Sequence, residues 1–132
     1  MKKQAESWLK AAEDDLLVIE KIINNKDLTH MVAFHSQQSI EKSMKAILEE
    51  MGCDVPRIHN IIKLKGEIED YFHLDIDNEI FMQINELYID SRYPTEIGLL
   101  PDGKPTRTVA SQFYNLAQAV YQKVKYFLQK QD

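Results

Sequence analysis

The sequence predicts an all-α protein: an antiparallel up-and-down bundle of four or five helices, built as one domain over residues 1–132. Three observations carry that prediction. Apolar residues recur at helical spacing through every long segment, and no segment alternates apolar and polar residues as a half-buried strand does. The chain has only four Gly and four Pro, most of them between those segments. With 132 residues, 44% of them hydrophobic and 28% charged, it can build a core without disulfide or metal staples.

The first helix is expected from about Gln4 to Asn24. Leu9, Ala12, Leu16, Ile19 and Ile23 form its buried stripe, and Glu13-Asp14-Asp15 is placed facing water. Asn24 to Asp27 makes a turn, and Asp27 or Thr29 can cap the next helix by accepting its unpaired N–H groups. That second helix runs to about Met51 and stops at Gly52. It has two faces. Ala33, Ile40, Met44, Ile47 and Met51 form an apolar one, while His35, Gln38, Lys42, Lys45 and Glu49 line up on another at i, i+3, i+7, i+10 and i+14. The polar strip is either the wet side of an amphipathic helix or a row of groups able to meet a phosphate or a nucleobase.

Pro56 makes a loop of Cys53 to Asn60. A third helix, about Ile61 to Phe72, buries Ile61, Leu64, Ile68 and Tyr71 or Phe72. A fourth starts near Asp75 or Asp77, buries Ile76, Ile80, Ile84 and Leu87, and ends around Asp90 or Ser91. The connector from Arg92 to Thr106 is broken by Pro94, Gly98, Pro101, Gly103 and Pro105. Connectors of that length in small domains tend to be functional or disordered. The last helix follows Thr106 and reaches about Gln129. It has two adjacent apolar stripes, Val109, Phe113, Leu116, Val120 and Phe127 beside Tyr114, Ala117, Tyr121, Val124 and Leu128. So wide an apolar arc packs on more than one neighbour or on a second subunit, and a homodimer is expected.

Composition narrows the function. A net charge of −5 and a pI near 5.4 oppose general nucleic-acid binding, which needs a broad basic surface. A local basic pocket drawn from Arg57, Arg92, Lys42 and Lys45 stays open. Cys53 is alone, so there is no disulfide framework and no cysteine metal cluster, and it is read as a structural thiol. No two histidines stand i, i+4 with a carboxylate, so no metal site is expected. The N-terminal run has no apolar stretch behind its charges and no segment approaches a membrane span. A cytoplasmic protein without membrane association is the expectation.

Four landmarks then resemble one family. They are Trp8-Leu9-Lys10-Ala11-Ala12-Glu13-Asp14-Asp15-Leu16, the run Phe34-His35-Ser36-Gln37-Gln38-Ser39-Ile40-Glu41-Lys42-Ser43-Met44-Lys45-Ala46, Pro56-Arg57-Ile58-His59-Asn60-Ile61, and Asp90-Ser91-Arg92-Tyr93-Pro94. In this order and at these separations they resemble the HEPN family of small bacterial and archaeal helical bundles. The resemblance implies a dimer. It also implies a setting beside a minimal nucleotidyltransferase, as its partner or as the substrate-binding part of the pair. One large branch of the family consists of ribonucleases, with an Arg, usually a polar residue next, and a His four to six positions after the Arg. Here no His follows Arg92, and the histidines after Arg57 are His59 and His73, one too near and one too far. The resemblance therefore points to the non-nuclease branch, with no recognisable catalytic motif of its own.

The expected ligand-binding residues are His35, Gln38, Lys42, Lys45, His59, Arg92 and Tyr93, around ATP or another nucleotide and with no firm cofactor. Lys42 and Lys45 would supply point charges, Arg92 a planar fork, the imidazoles donors or bases, and Tyr93 a lid. Each has a structural alternative. His35 can be wedged between helices on a backbone carbonyl, His59 can cap the third helix, and Arg92 can clamp the connector. His30 and His73 are expected at surface or capping positions, and Tyr88 in the core rather than under a base. Two functions compete with the binding module: a ribonuclease toxin of a toxin–antitoxin pair, disfavoured by the missing motif, and a purely structural dimer with a solvated strip.

Overall fold

The computed structural model describes residues 1–91 and 104–131, with backbone only at 89–91. Arg92 and Tyr93 lie outside the described residues. Those described form five α-helices and no strand: α1 Lys3–Ile22, α2 Thr29–Glu50, α3 Ile61–Ile68, α4 Asn78–Ser91 and α5 Arg107–Gln129, with a 3₁₀ turn at Lys26–Leu28 before α2. The all-α bundle read from the sequence is the architecture observed.

Local chemistry sets most of the ends. Gly52 takes φ 75°, the left-handed conformation that ends a helix without a Cβ clash, and Cys53 N–H then donates to the carbonyl of Leu48. Asn60 Oδ1 accepts from Ile62 and Lys63 N–H at the start of α3. Asp77 does the same for Glu79 and Ile80, and Thr106 Oγ1 for Val109. The start of α2 departs from expectation. Neither Asp27 nor Thr29 caps it; Leu28 stands at the cap with no side-chain bond, and Asn25 instead accepts from Asp27 N–H inside the 3₁₀ turn. That turn continues directly into the helix, so the first turn needs no separate cap. The third helix ends at Ile68, short of Phe72. Tyr71 is exposed, while Phe72 packs on Phe127 with ring centroids 4.9 Å apart.

Helix α2 is the axis of the bundle, packed on α1 and α5 and also on α3 and α4. Its apolar face, Ala33, Ile40, Met44 and Ile47, is buried as expected, with Val32, Ala46 and Leu48. Burial extends further round than the apolar residues do. Ser36, Ser39 and Ser43 are inaccessible, and Ser39 Oγ donates to the carbonyl of Ala12 at 3.0 Å. Short side chains there let α1 approach closely, and this row was not legible as a packing surface. On α5 both apolar stripes are used inside the monomer: Phe113, Leu116, Ala117, Val120, Tyr121, Val124 and Leu128 are all buried.

Candidate functional site

The polar strip of α2 is neither a wet face nor a row of free cations, because two buried carboxylates gather it into two clusters. The first comes from α1. Asp15, placed facing water by its acidic neighbours, is only 7% exposed. It sits three residues after Ala12 and four before Ile19, on the buried stripe itself. Asp15 Oδ1 holds His35 Nδ1 at 2.8 Å and Oδ2 accepts from Lys42 Nζ at 2.8 Å. The alternative of a backbone-satisfied His35 is thus replaced by a carboxylate from another helix.

The second cluster centres on Glu41, whose side chain is 4% exposed. Its Oε2 accepts from Lys45 Nζ at 2.9 Å, one helical turn along. Its Oε1 meets His59 Nδ1 at 3.0 Å and Gln37 Nε2 at 3.1 Å. Gln37 also donates to the carbonyl of His59 at 2.6 Å and accepts from Gln38 Nε2 at 2.8 Å. Lys45 is as buried as its partner, and its ammonium lies 5.5 Å from the ring centre of Trp8, whose indole N–H donates to Glu49. A buried ammonium persists only where a carboxylate and an aromatic face replace its water. His59 is not the cap of α3, a role Asn60 fills. It arches from the loop onto α2.

Both imidazoles are tied at the same atom. An ionised carboxylate can only accept, so Nδ1 carries the hydrogen in each ring and Nε2 is the remaining polar atom. Neither Nε2 meets a hydrogen-bonding partner among the described residues. The side chain of His35 is 19% exposed and that of His59 48%. Aromatic rings bridge them: His35 packs edge-on against Phe34 at 5.2 Å, Phe34 stacks on Tyr88 at 5.7 Å, and Tyr88 lies 6.0 Å from His59. Tyr88 is a core residue, as expected, and its buried ring backs Phe34 from beneath. It precedes Arg92 by four residues in the sequence.

Five of the seven predicted site residues, His35, Gln38, Lys42, Lys45 and His59, thus belong to two adjoining clusters, and Arg92 and Tyr93 fall outside the described residues. Sequence reading missed Asp15, Glu41, Gln37 and Phe34. A signal for two of them was present, since Asp15 and Glu41 are acids on apolar helical stripes, beside Leu16 and Ile40. Elsewhere, Cys53 Sγ donates to Tyr71 Oη at 3.1 Å and His73 pairs with Glu69 at the surface. His30 lies half-buried in the first turn of α2, near the helix start where it was expected. Its Nδ1 is buried without a partner, and burial, with the nearby Lys104 charge, lowers its pKa. No group of three metal-ligating side chains occurs among the described residues, and no described helix is long and apolar enough to cross a membrane.

The HEPN domain family matches residues 5–127 of the chain. The chain belongs to the HEPN family. Among solved structures, this HEPN domain is similar to ST0689, an archaeal HEPN homologue, with TM-score 0.69 and 26% identity over 94% of this chain and 97% of that one. It shares its fold with TT1696 from Thermus thermophilus, at TM-score 0.73 and 23% identity over 96% and 99% of the two chains. No curated protein matches it. The fold implied by the four sequence landmarks is therefore the fold observed, in the family they resemble.

Proposed function

We propose that this HEPN domain is a binding module: a homodimer that takes ATP or another nucleotide and works beside a minimal nucleotidyltransferase, as its partner or substrate-binding subunit. One observation supports this reading above the others. Two imidazoles, His35 and His59, are each oriented through Nδ1 by a buried carboxylate and joined by aromatic ring surface. A carboxylate that is nine-tenths buried and holds a partly exposed histidine is a preorganised recognition element, because the ring's direction is settled before a ligand arrives. The sequence also lacks a His after Arg92, which disfavours the ribonuclease toxin.

Titration with ATP and the other nucleoside triphosphates, followed by amide NMR, tests the proposal. Shifts are expected along α2 between Phe34 and Lys45 and around His59. If no nucleotide moved those amides, the reading would be abandoned. The same sample should leave RNA intact; cleavage that disappears in Arg92→Ala with the fold retained would establish the ribonuclease instead. Co-purification with the transferase of a neighbouring gene tests the partner, and light scattering tests the dimer.

A further inference from the structure

We infer that the described cluster receives the uncharged nucleoside end of its ligand, with the phosphates directed elsewhere. This rests on the nucleotide reading above and narrows it. The argument begins with charge. The Asp15 carboxylate is matched by the Lys42 ammonium and the Glu41 carboxylate by that of Lys45, one for one, at 2.8 and 2.9 Å. A lysine turned toward a phosphate would leave a buried carboxylate without its cation, which the protein interior penalises heavily. For Lys45 the move is further barred by its own burial. Neither lysine is a spare positive charge for an anion.

The hydrogen-bonding pattern agrees. With Nδ1–H committed to Asp15 or Glu41, a neutral imidazole presents a lone pair at Nε2. The fully ionised phosphates of a nucleotide offer only acceptors and would face that lone pair unfavourably. A base amino group or a ribose hydroxyl offers a donor, and the lone pair takes it. Between the two histidines the partly exposed Phe34 ring, backed by the buried Tyr88 ring stacked on it, supplies aromatic surface against which a heteroaromatic base gains contact. Two Nε2 acceptors beside the partly exposed Phe34 ring match a nucleoside better than a phosphate.

The test compares adenosine, adenosine monophosphate and inorganic phosphate on the intact chain, by calorimetry and by the imidazole resonances of His35 and His59. Adenosine is expected to bind within about tenfold of the monophosphate, and its affinity to change less than about twofold between roughly 50 and 300 mM salt. It should shift both imidazoles, while inorganic phosphate shifts neither. His35→Ala and His59→Ala should each weaken adenosine by about tenfold. The more conservative His35→Gln and His59→Gln, checked for native melting, serve if the alanine variants do not fold. If inorganic phosphate shifted the imidazoles and adenosine did not, the inference would be overturned while the nucleotide reading survived. If the monophosphate bound and shifted neither imidazole, this cluster would not be the nucleoside subsite. If none of the three bound, both would fall together.

Discussion

Replacing Glu41 by Ala should be far more damaging than replacing Asp15, although the two carboxylates hold similar partners. Glu41 accepts from Lys45, His59 and Gln37, and its ion-pair partner is 5% exposed. Truncating Glu41 strands that ammonium where water does not reach, and breaking a buried pair from one side costs about 3–5 kcal/mol. In a domain of this size each kcal/mol lowers Tm by about 3–5 °C, so Glu41→Ala should melt roughly 10–25 °C below the parent. Asp15→Ala also removes two bonds, but Lys42 is 25% exposed and His35 19%, so both can recover solvent. About 1–2 kcal/mol is expected there. The decisive variant is Glu41→Leu with Lys45→Met, which removes both charges and should recover to within about 1–2 kcal/mol of the parent, because the desolvation of both ions disappears with them. Urea unfolding of the parent, the single variants and the double variant measures all these values and the coupling energy. A Glu41→Ala loss below about 1 kcal/mol, or a double variant as unstable as the singles summed, would refute the reasoning.

Three further outcomes follow from other parts of the bundle. Tyr121→Phe removes the 2.7 Å hydrogen bond to Glu13 that ties α5 to α1, and should cost about 1 kcal/mol at neutral pH in urea unfolding. That bond lowers the Glu13 pKa below its ordinary value, so this contribution is present above about pH 4.5 and lost as pH falls through the lowered value; the parent–variant difference should shrink in acid. Burial, then the Glu13 bond, raises the Tyr121 pKa, so above about pH 10, where the unfolded tyrosine ionises first, the parent should lose more stability than the variant, which keeps only the similarly raised Tyr114 and Tyr71. The lowered His30 pKa has the opposite consequence from a paired histidine: the neutral ring is the folded form, so stability is whole above about pH 6.5 and declines below it as the unfolded state takes up a proton. His30→Leu should remove that part of the slope in melts from about pH 7 to pH 5, and an unchanged slope would contradict the assignment. Gly52→Ala forces a Cβ into φ 75°, with Lys2 Nζ 3.6 Å from the added atom, and should lose about 1 kcal/mol by thermal unfolding through backbone strain alone.

What the sequence by itself determined is local. The apolar repeat of α1, the Gly52 stop, the Asp77 cap and the wide apolar arc of α5 are all recorded within a few residues of where they act. Where a local reading failed, as at the start of α2, a 3₁₀ turn just upstream had taken over the cap's task. The landmarks from Trp8 to Pro94 were enough for the family, because they record the order of the helices. The character of the candidate site is different. Lys42 and Lys45 have the same local setting as any lysine on a polar helical strip, and nothing near them in sequence says whether water or a carboxylate will neutralise them. That was decided when α1 packed on α2, carrying Asp15 to His35 and Lys42 from twenty and twenty-seven residues away. It was decided again when the loop before α3 folded His59 back over Glu41, eighteen residues apart. Helical periodicity assigns a residue to a face, but only packing determines which faces are covered. In this bundle neighbouring elements cover much of the central helix, so its polar strip is paired by the protein's own carboxylates while His35 and Lys42 keep part of their surface open.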